Sequence, residues 1–144
     1  MTICQFSLSA DPLDPVCLSR ALANPAAGAF VSFEGWIRNH NNGKTVVALE
    51  YEVYSALALK EGKRIVAEAI AKFGLTGAIA CHRYGRLELG EIAVWVGVTA
   101  AHRRQAFQGA AYIIDEIKHR LPIWKKEYYA GGSAAWVHCC EHVH

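Results

Sequence analysis

At 144 residues the chain has the length of one domain, enough to bury roughly two-thirds of the surface that its unfolded form exposes. A composition 53% hydrophobic and 19% charged excludes a disordered chain, and no run approaches the ~18 to 20 unbroken apolar residues of a membrane span. The net charge of +2 provides no global basic field for nucleic acid, so any anion site must be local, and five cysteines without a basic, apolar leader point to a reducing cytoplasm.

The chain opens with Ile3 to Leu8, which alternates as a short strand before two Asp-Pro breaks. Asp14 caps an expected helix with Pro15 at its first position, and Val16, Leu18, Ala21 and Leu22 form its apolar side up to Asn24-Pro25. From Ala29 to Ile37 the period is two, the mark of a strand. It runs into the polar segment Arg38 to Lys44, whose Asn42-Gly43 step favours a turn; this reads as a solvated hairpin loop, although Arg38, His40 and Lys44 could reach an anion. Val46 to Tyr54 alternates again, with Val47, Leu49, Tyr51 and Val53 on one face, and makes an expected antiparallel pair with the preceding strand.

Leu59, Gly62, Val66, Ala69 and Phe73 then step by three and four as an amphipathic helix ending at Gly74. Strands follow at Ala78 to Tyr84 and Ile92 to Thr99, the second apolar on both faces and therefore central; Cys81 and His82 read as packing residues. From Gln105 a helical stripe runs through Phe107, Ala110, Ala111, Ile114, Ile117 and Leu121. Pro122 ends it, because its ring would clash with the Lys118 carbonyl if the helix continued.

The stretch from Ala100 to Glu127 therefore carries His102, Arg103 and Arg104 at one end of an apolar helix and Lys118, Arg120, Lys125 and Lys126 at the other. A guanidinium at a helix start suits phosphate, yet it serves equally to pair a surface carboxylate. Ammonium groups crowded near Arg103 would repel one another and lower a lysine pKa; alternatively Lys118 faces water at the negative helix end, worth only ~0.3 to 1 kcal/mol. Spacing leaves both pairs of readings open. At the terminus, His138, Cys139, Cys140, His142 and His144 lack the separations that close a tetrahedral zinc site, so no metal is expected and a frayed end is favoured. Single-stranded nucleic acid binding is disfavoured too, since the aromatics Trp36, Trp124, Tyr128 and Tyr129 are few and not arrayed along a groove.

Five segments together resemble the large, catalytic subunit family of molybdopterin synthase: GAFVSFEGWIRNHN (28–41), ALEYEVY (48–54), CHRYGRLELGE (81–91), VGVTAAHRRQAF (96–107) and IDEIKHRLPIWKKE (114–127). The F-x-G-x-x-R-x-H pattern, the AHR triplet and the K-x3-P-x-WK ending are jointly specific, and the match spans nearly the whole chain. The resemblance implies an α+β, α/β hammerhead fold, a mixed, largely antiparallel sheet with covering helices in a single domain over residues 1–144. It also implies conversion of cyclic pyranopterin monophosphate to molybdopterin, a sulfurtransferase reaction of molybdenum cofactor biosynthesis that needs no resident cofactor. Sulfur would come from the thiocarboxylated C-terminus of a separate small ubiquitin-like subunit, with two large subunits at the centre of a heterotetramer and no membrane or nucleic acid partner.

Carried over by position, the resemblance implies that Arg38, His102 and Arg103 hold the phosphate and the donor carboxylate. Lys118 would be the general acid/base and Lys125 a substrate-positioning cation, a lysine on a helix end being held more rigidly than one on a turn. The flanking residues Trp36, Ile37, Lys126 and Glu127 fall in the implied substrate-binding stretches. Pro122 would turn Lys125 back toward Lys118, and both helix ends would reach one pocket. The chain departs from relatives at Tyr54 to Ala58, where Pro-Met is common, and at Gly90-Glu91, where many have Gly-Asp; these bear on packing or partner fit. The competing reading is a non-catalytic module that keeps the pterin pocket or the docking groove, against which both lysines are retained.

Overall fold

The computed structural model describes residues 2–138. In chain order the elements are β1 (Ile3–Ser9), α1 (Pro15–Arg20), β2 (Ala29–Trp36), β3 (His40–Asn41), β4 (Lys44–Val53), α2 (Ser55–Phe73), β5 (Gly77–Arg83), β6 (Gly85–Glu88), β7 (Ile92–Ala100), α3 (Arg103–Arg120), β8 (Ile123–Tyr129) and β9 (Ala134–His138). They form an α+β fold of two sheets. The first has the order β1-β5-β7-β2, with β1 parallel to β5 and the other pairs antiparallel. The second, wholly antiparallel, runs β3-β4-β8-β9, with β6 also on β4.

The central strands β5 and β7 of the first sheet are buried on both faces, which is why β7 reads as continuously apolar. Its alternate residues Val94, Val96 and Val98, with Ala78 and Ala80 of β5, meet Ile65, Val66 and Ala69 of α2 and Ile113 and Ile117 of α3. Trp95 and Ile79 point the other way and pack with Leu22. A third cluster of Ile37, Val46, Leu49, Leu87 and Ala93 joins the two sheets. No helix of the described residues is long and apolar enough to cross a membrane.

Several local expectations are met. Asp14 Oδ1 accepts the N–H groups of Val16 and Cys17, with Pro15 in the first turn. Gly74 ends α2 in the left-handed region, φ 64°. Gly62 lies on the buried side of α2 because the Phe6 ring occupies the space that a Cβ would need.

Others are corrected. Strands β2 and β4 do not pair: β2 lies against β7, while β4 lies between β6 and β8. Both have alternating faces, but alternation identifies a strand without naming its neighbour. A bulge between Val46 and Ala48 shifts the inward face, so Val46 is buried and Val47 exposed. Helix α1 ends at Arg20 and buries none of its residues; Leu22, just beyond it, enters the core instead. The inward stripe of α3 is Ala106, Gly109, Ala110, Ile113 and Ile117, small in its first half and bulky in its second, and Phe107 stands 62% exposed on its flank. Lys125 sits in a strand rather than on a turn, and β9 pairs with β8 where only a tail was foreseen. Cys139, Cys140, His142 and His144 lie outside the described residues.

Candidate active site

A cavity of about 300 Å³ opens where the ends of β2 and β5 and the start of β7 meet β4, β8 and the last turns of α3. Its walls are partly apolar, through Leu49, Val94, Ile114, Ile117 and Ile123, and its polar groups are mainly cationic: Arg38, Lys118 and Lys125. The proline junction explains how the two lysines converge. Lys118 occupies the last turn of α3, the helix closes with Leu121 N–H on the Ile117 carbonyl, and β8 departs at once from Ile123. Pro122 thus brings Lys125 beside the same cavity as Lys118, as the sequence predicts.

Arg38 arrives by a hairpin. Asn42 and Gly43 have φ of 50° and 77°, the two-residue turn that returns β3 onto β4 with His40 opposite Thr45. The loop is therefore a hairpin as expected, but not merely a solvated one. Arg38 Nη2 donates to Asn41 Oδ1 at 3.3 Å, and Asn41 Nδ2 donates to both carboxylate oxygens of Glu127 at 3.0 Å. Glu127, 3% exposed, also accepts the Tyr129 hydroxyl at 3.0 Å and lies 4.0 Å from Lys125 Nζ. Burial, followed by the hydrogen bond to Glu127, pushes the Tyr129 hydroxyl pKa above its usual range, which keeps it a donor. Arg38 and Lys125 are thereby tied to one buried carboxylate, and removing one member of such a network costs on the order of 3 to 5 kcal/mol.

The helix end carrying Lys118 is fixed from outside the cavity. Arg120 donates to Glu68 at 2.6 Å, to Glu61 at 3.1 Å and to Glu116 at 3.3 Å, while Tyr112 donates to Glu68 at 2.8 Å. The hydrogen bond from Arg120, then that from Tyr112, holds the Glu68 carboxyl below its ordinary pKa. Arg120, one of the cations gathered in this stretch of sequence, thus fastens α3 to α2 and does not line the cavity.

His82 enters from β5. Its Nδ1 lies 2.7 Å from the Arg83 carbonyl oxygen, and the Tyr51 ring meets it edge-on with centroids 5.0 Å apart. Burial first, then the Lys118 charge, depress its pKa from 6.5 to about 4, so the ring is neutral at physiological pH. Sequence reading placed His82 among packing residues, and it also missed Tyr51 and Asn41. The available signal for His82 was alternation: it shares the face of Ala78 and Ala80, which faces the helices and continues toward the cavity.

Of the sequence-predicted residues, Trp36, Arg38, Lys118, Lys125 and Glu127 line this cavity, with Trp36 at its rim, 66% exposed and donating to Glu34. Ile37 is buried between the sheets beside Val46 and Leu87. Lys126 lies on the opposite face of β8, its ammonium 5.3 Å from the Tyr128 ring and 5.6 Å from that of Trp136. His102 and Arg103 stand exposed at the far end of α3, and Arg103 is about 22 Å of helix axis from Lys118 at about 1.5 Å per residue. Within one chain the two helix ends therefore do not share a pocket, and Arg103 does not crowd Lys118.

These features define a two-sheet α+β protein with a cationic, carboxylate-braced cleft at the sheet junction. Comparison with known proteins gives the family: the family model described as MoaE protein matches residues 8–120, and the chain belongs to that family. The molybdopterin synthase catalytic subunit of Thermoplasma volcanium is 40% identical over 124 residues, 86% of this chain and 90% of that one. Its counterpart from Pyrococcus abyssi is 41% identical over 122 residues, covering 85% and 82%. A crystal structure of molybdopterin synthase from Staphylococcus aureus superposes with a TM-score of 0.85 at 32% identity, covering 90% of this chain and 94% of that one.

Proposed function

We propose that this chain is the catalytic subunit of a cytoplasmic molybdopterin synthase, acting as one domain over residues 1–144. It converts cyclic pyranopterin monophosphate to molybdopterin with sulfur from the thiocarboxylated C-terminus of a small ubiquitin-like subunit. The observation that carries this reading is the convergence of Arg38, Lys118 and Lys125 on one partly apolar cavity in a chain whose relatives bear that activity. The apolar wall accommodates a flat heterocycle, and the cations meet a phosphate and an incoming carboxyl-type sulfur nucleophile. Lys118 acts as general acid/base beside the donor, and Lys125, braced by Glu127, positions the substrate. Each new pterin C–S bond replaces a C–O bond of the precursor, whose oxygen leaves as the opened phosphate ester or as water, and the donor's acyl C–S bond is hydrolysed to release a carboxylate.

His102 and Arg103 join this site from a second copy. Strand β2 ends the first sheet with its outer edge unpaired among the described residues, and α3 packs along it. The Ala29 end of β2 pairs with Ala100, beside His102, while its Trp36 end borders the cavity. Two copies joined antiparallel along this edge place the Ala29 end of one beside the Trp36 end of the other. The strand spans about 24 Å, close to the length of helix between Arg103 and Lys118, so the second copy's His102 and Arg103 come level with the cavity rim. Two large subunits form the centre of the heterotetramer in this way.

The test is direct. Mixing the protein with thiocarboxylated small subunit and cyclic pyranopterin monophosphate is expected to yield dithiolene product, and Lys118→Ala to lower the rate about 10²- to 10³-fold. No product from the wild type, or undiminished product from Lys118→Ala, overturns the catalytic assignment in favour of a binding module.

A further inference from the structure

Of the cavity's charged groups, Arg38, Lys118 and Lys125 offer only N–H donors when protonated, and the Glu127 carboxylate already accepts from Asn41 and Tyr129. His82 differs. Its Nδ1 is 2.7 Å from the Arg83 carbonyl oxygen, an atom that can only accept, so Nδ1 carries the ring proton and Nε2 keeps its lone pair. The ring has little freedom: it is 6% exposed, bonded to the backbone through Nδ1 and met edge-on by Tyr51 of β4. Lys118, on α3, lies across the same cavity and near enough for its charge to disfavour the imidazolium. His82 is therefore a fixed, uncharged acceptor on the Lys118 side of a cavity whose one lining carboxylate, Glu127, lies beside Lys125.

We propose that His82 is a positioning residue for Lys118, its Nε2 accepting a hydrogen bond from the lysine ammonium and so fixing where that group meets the sulfur donor. The proposal rests on the sulfur-transfer reading and adds a residue to it. A carboxylate in the same place would also orient the lysine, but it would neutralise the charge that the anionic donor needs. An imidazole locked in this tautomer orients without neutralising. The backbone of Lys118 is set by α3 and its clamp to α2; the far end of a flexible four-carbon stem needs a second anchor, and β5 supplies it.

Two measurements test this. In steady-state sulfur transfer, His82→Phe keeps the ring and removes the lone pair, and is expected to lower kcat about 10- to 100-fold with KM for the pterin within about twofold. His82→Gln, whose amide oxygen accepts, is expected to recover most of that loss. Equal loss in both variants, or no loss in either, overturns the proposal. The second measurement leaves His82 in place: long-range proton–nitrogen NMR of the histidine ring in wild type and in Lys118→Met. The Nε2 resonance is expected to move toward the position of an unbonded lone pair when the ammonium is removed, and an unmoved resonance overturns the proposal even if the His82 variants fail to fold. Absence of product from the wild type would instead defeat the sulfur-transfer reading, and the NMR arm would still decide whether His82 holds Lys118.

Discussion

The two ends of α3 carry similar chemistry in very different surroundings. At the C-terminal end, Lys118 faces a cavity whose other walls come from both sheets, while Arg120 binds three carboxylates and Lys125 sits beside the buried Glu127. At the N-terminal end, His102 and Arg103 stand exposed, and His102 occupies the N-cap position without a side-chain capping bond. One cluster is finished by the chain's own fold, and the other is left exposed at the helix start. A second copy across the β2 edge fits that arrangement, since the exposed end of one helix then meets the built end of the other.

The comparison is sharpened most by disturbing the built end. Glu127→Ala removes the acceptor shared by Asn41 and Tyr129 and the counter-charge near Lys125, and is expected to cost about 3 to 5 kcal/mol in urea unfolding. Arg103→Ala, at the bare end, should leave the unfolding midpoint unchanged; equal losses at both ends would erase the distinction.

Acid acts on the same end through His82. Its folded pKa of about 4 lies below the ordinary 6.5, so the unfolded chain takes up the proton first. The stability is fully present above pH 6.5 and is lost as pH falls through 4, about 3 kcal/mol in all by the size of the shift. The charged group opposing protonation is Lys118 from α3, while the Arg83 carbonyl favours it and Tyr51 of β4 faces the ring. Unfolding series at pH 7.5, 5.5 and 4.5 should show a shallower decline for His82→Gln than for wild type, and identical slopes would contradict this account. The smallest effect belongs to Lys126→Ala. Its ammonium lies over Tyr128 and Trp136 on the far face of β8, so sulfur-transfer activity should change less than about twofold.

Much of this architecture was legible in the residues, and the failures have physical causes. Strand and helix positions followed from period, and the Pro122 junction correctly brought Lys118 and Lys125 together because a proline's missing N–H and ring clash are local facts. Strand partners were not local: β2 and β4 look like a hairpin by order, yet a dozen residues of context cannot say that β2 joins β7 in one sheet and β4 joins β8 in the other. Arg38 could be named, but the brace behind it depends on Asn41 meeting Glu127 from 86 positions away. His82 was hidden among small apolar strand residues, where a histidine ordinarily reads as packing. The separation of His102 and Arg103 from the lysines was available from helix rise alone, and the length of α3 shows that a single copy cannot unite them.

The central claim is that one complete site draws Lys118 from one copy and Arg103 from another. Co-expression of Lys118→Ala and Arg103→Ala chains carrying different tags, followed by isolation of the doubly tagged dimer, tests it most directly. Each homodimer lacks a complete site, whereas the mixed dimer holds one site with both defects and one with neither, so about half the wild-type activity is expected from it. A mixed dimer no more active than the two homodimers would contradict the account and place both residues in the service of a single chain.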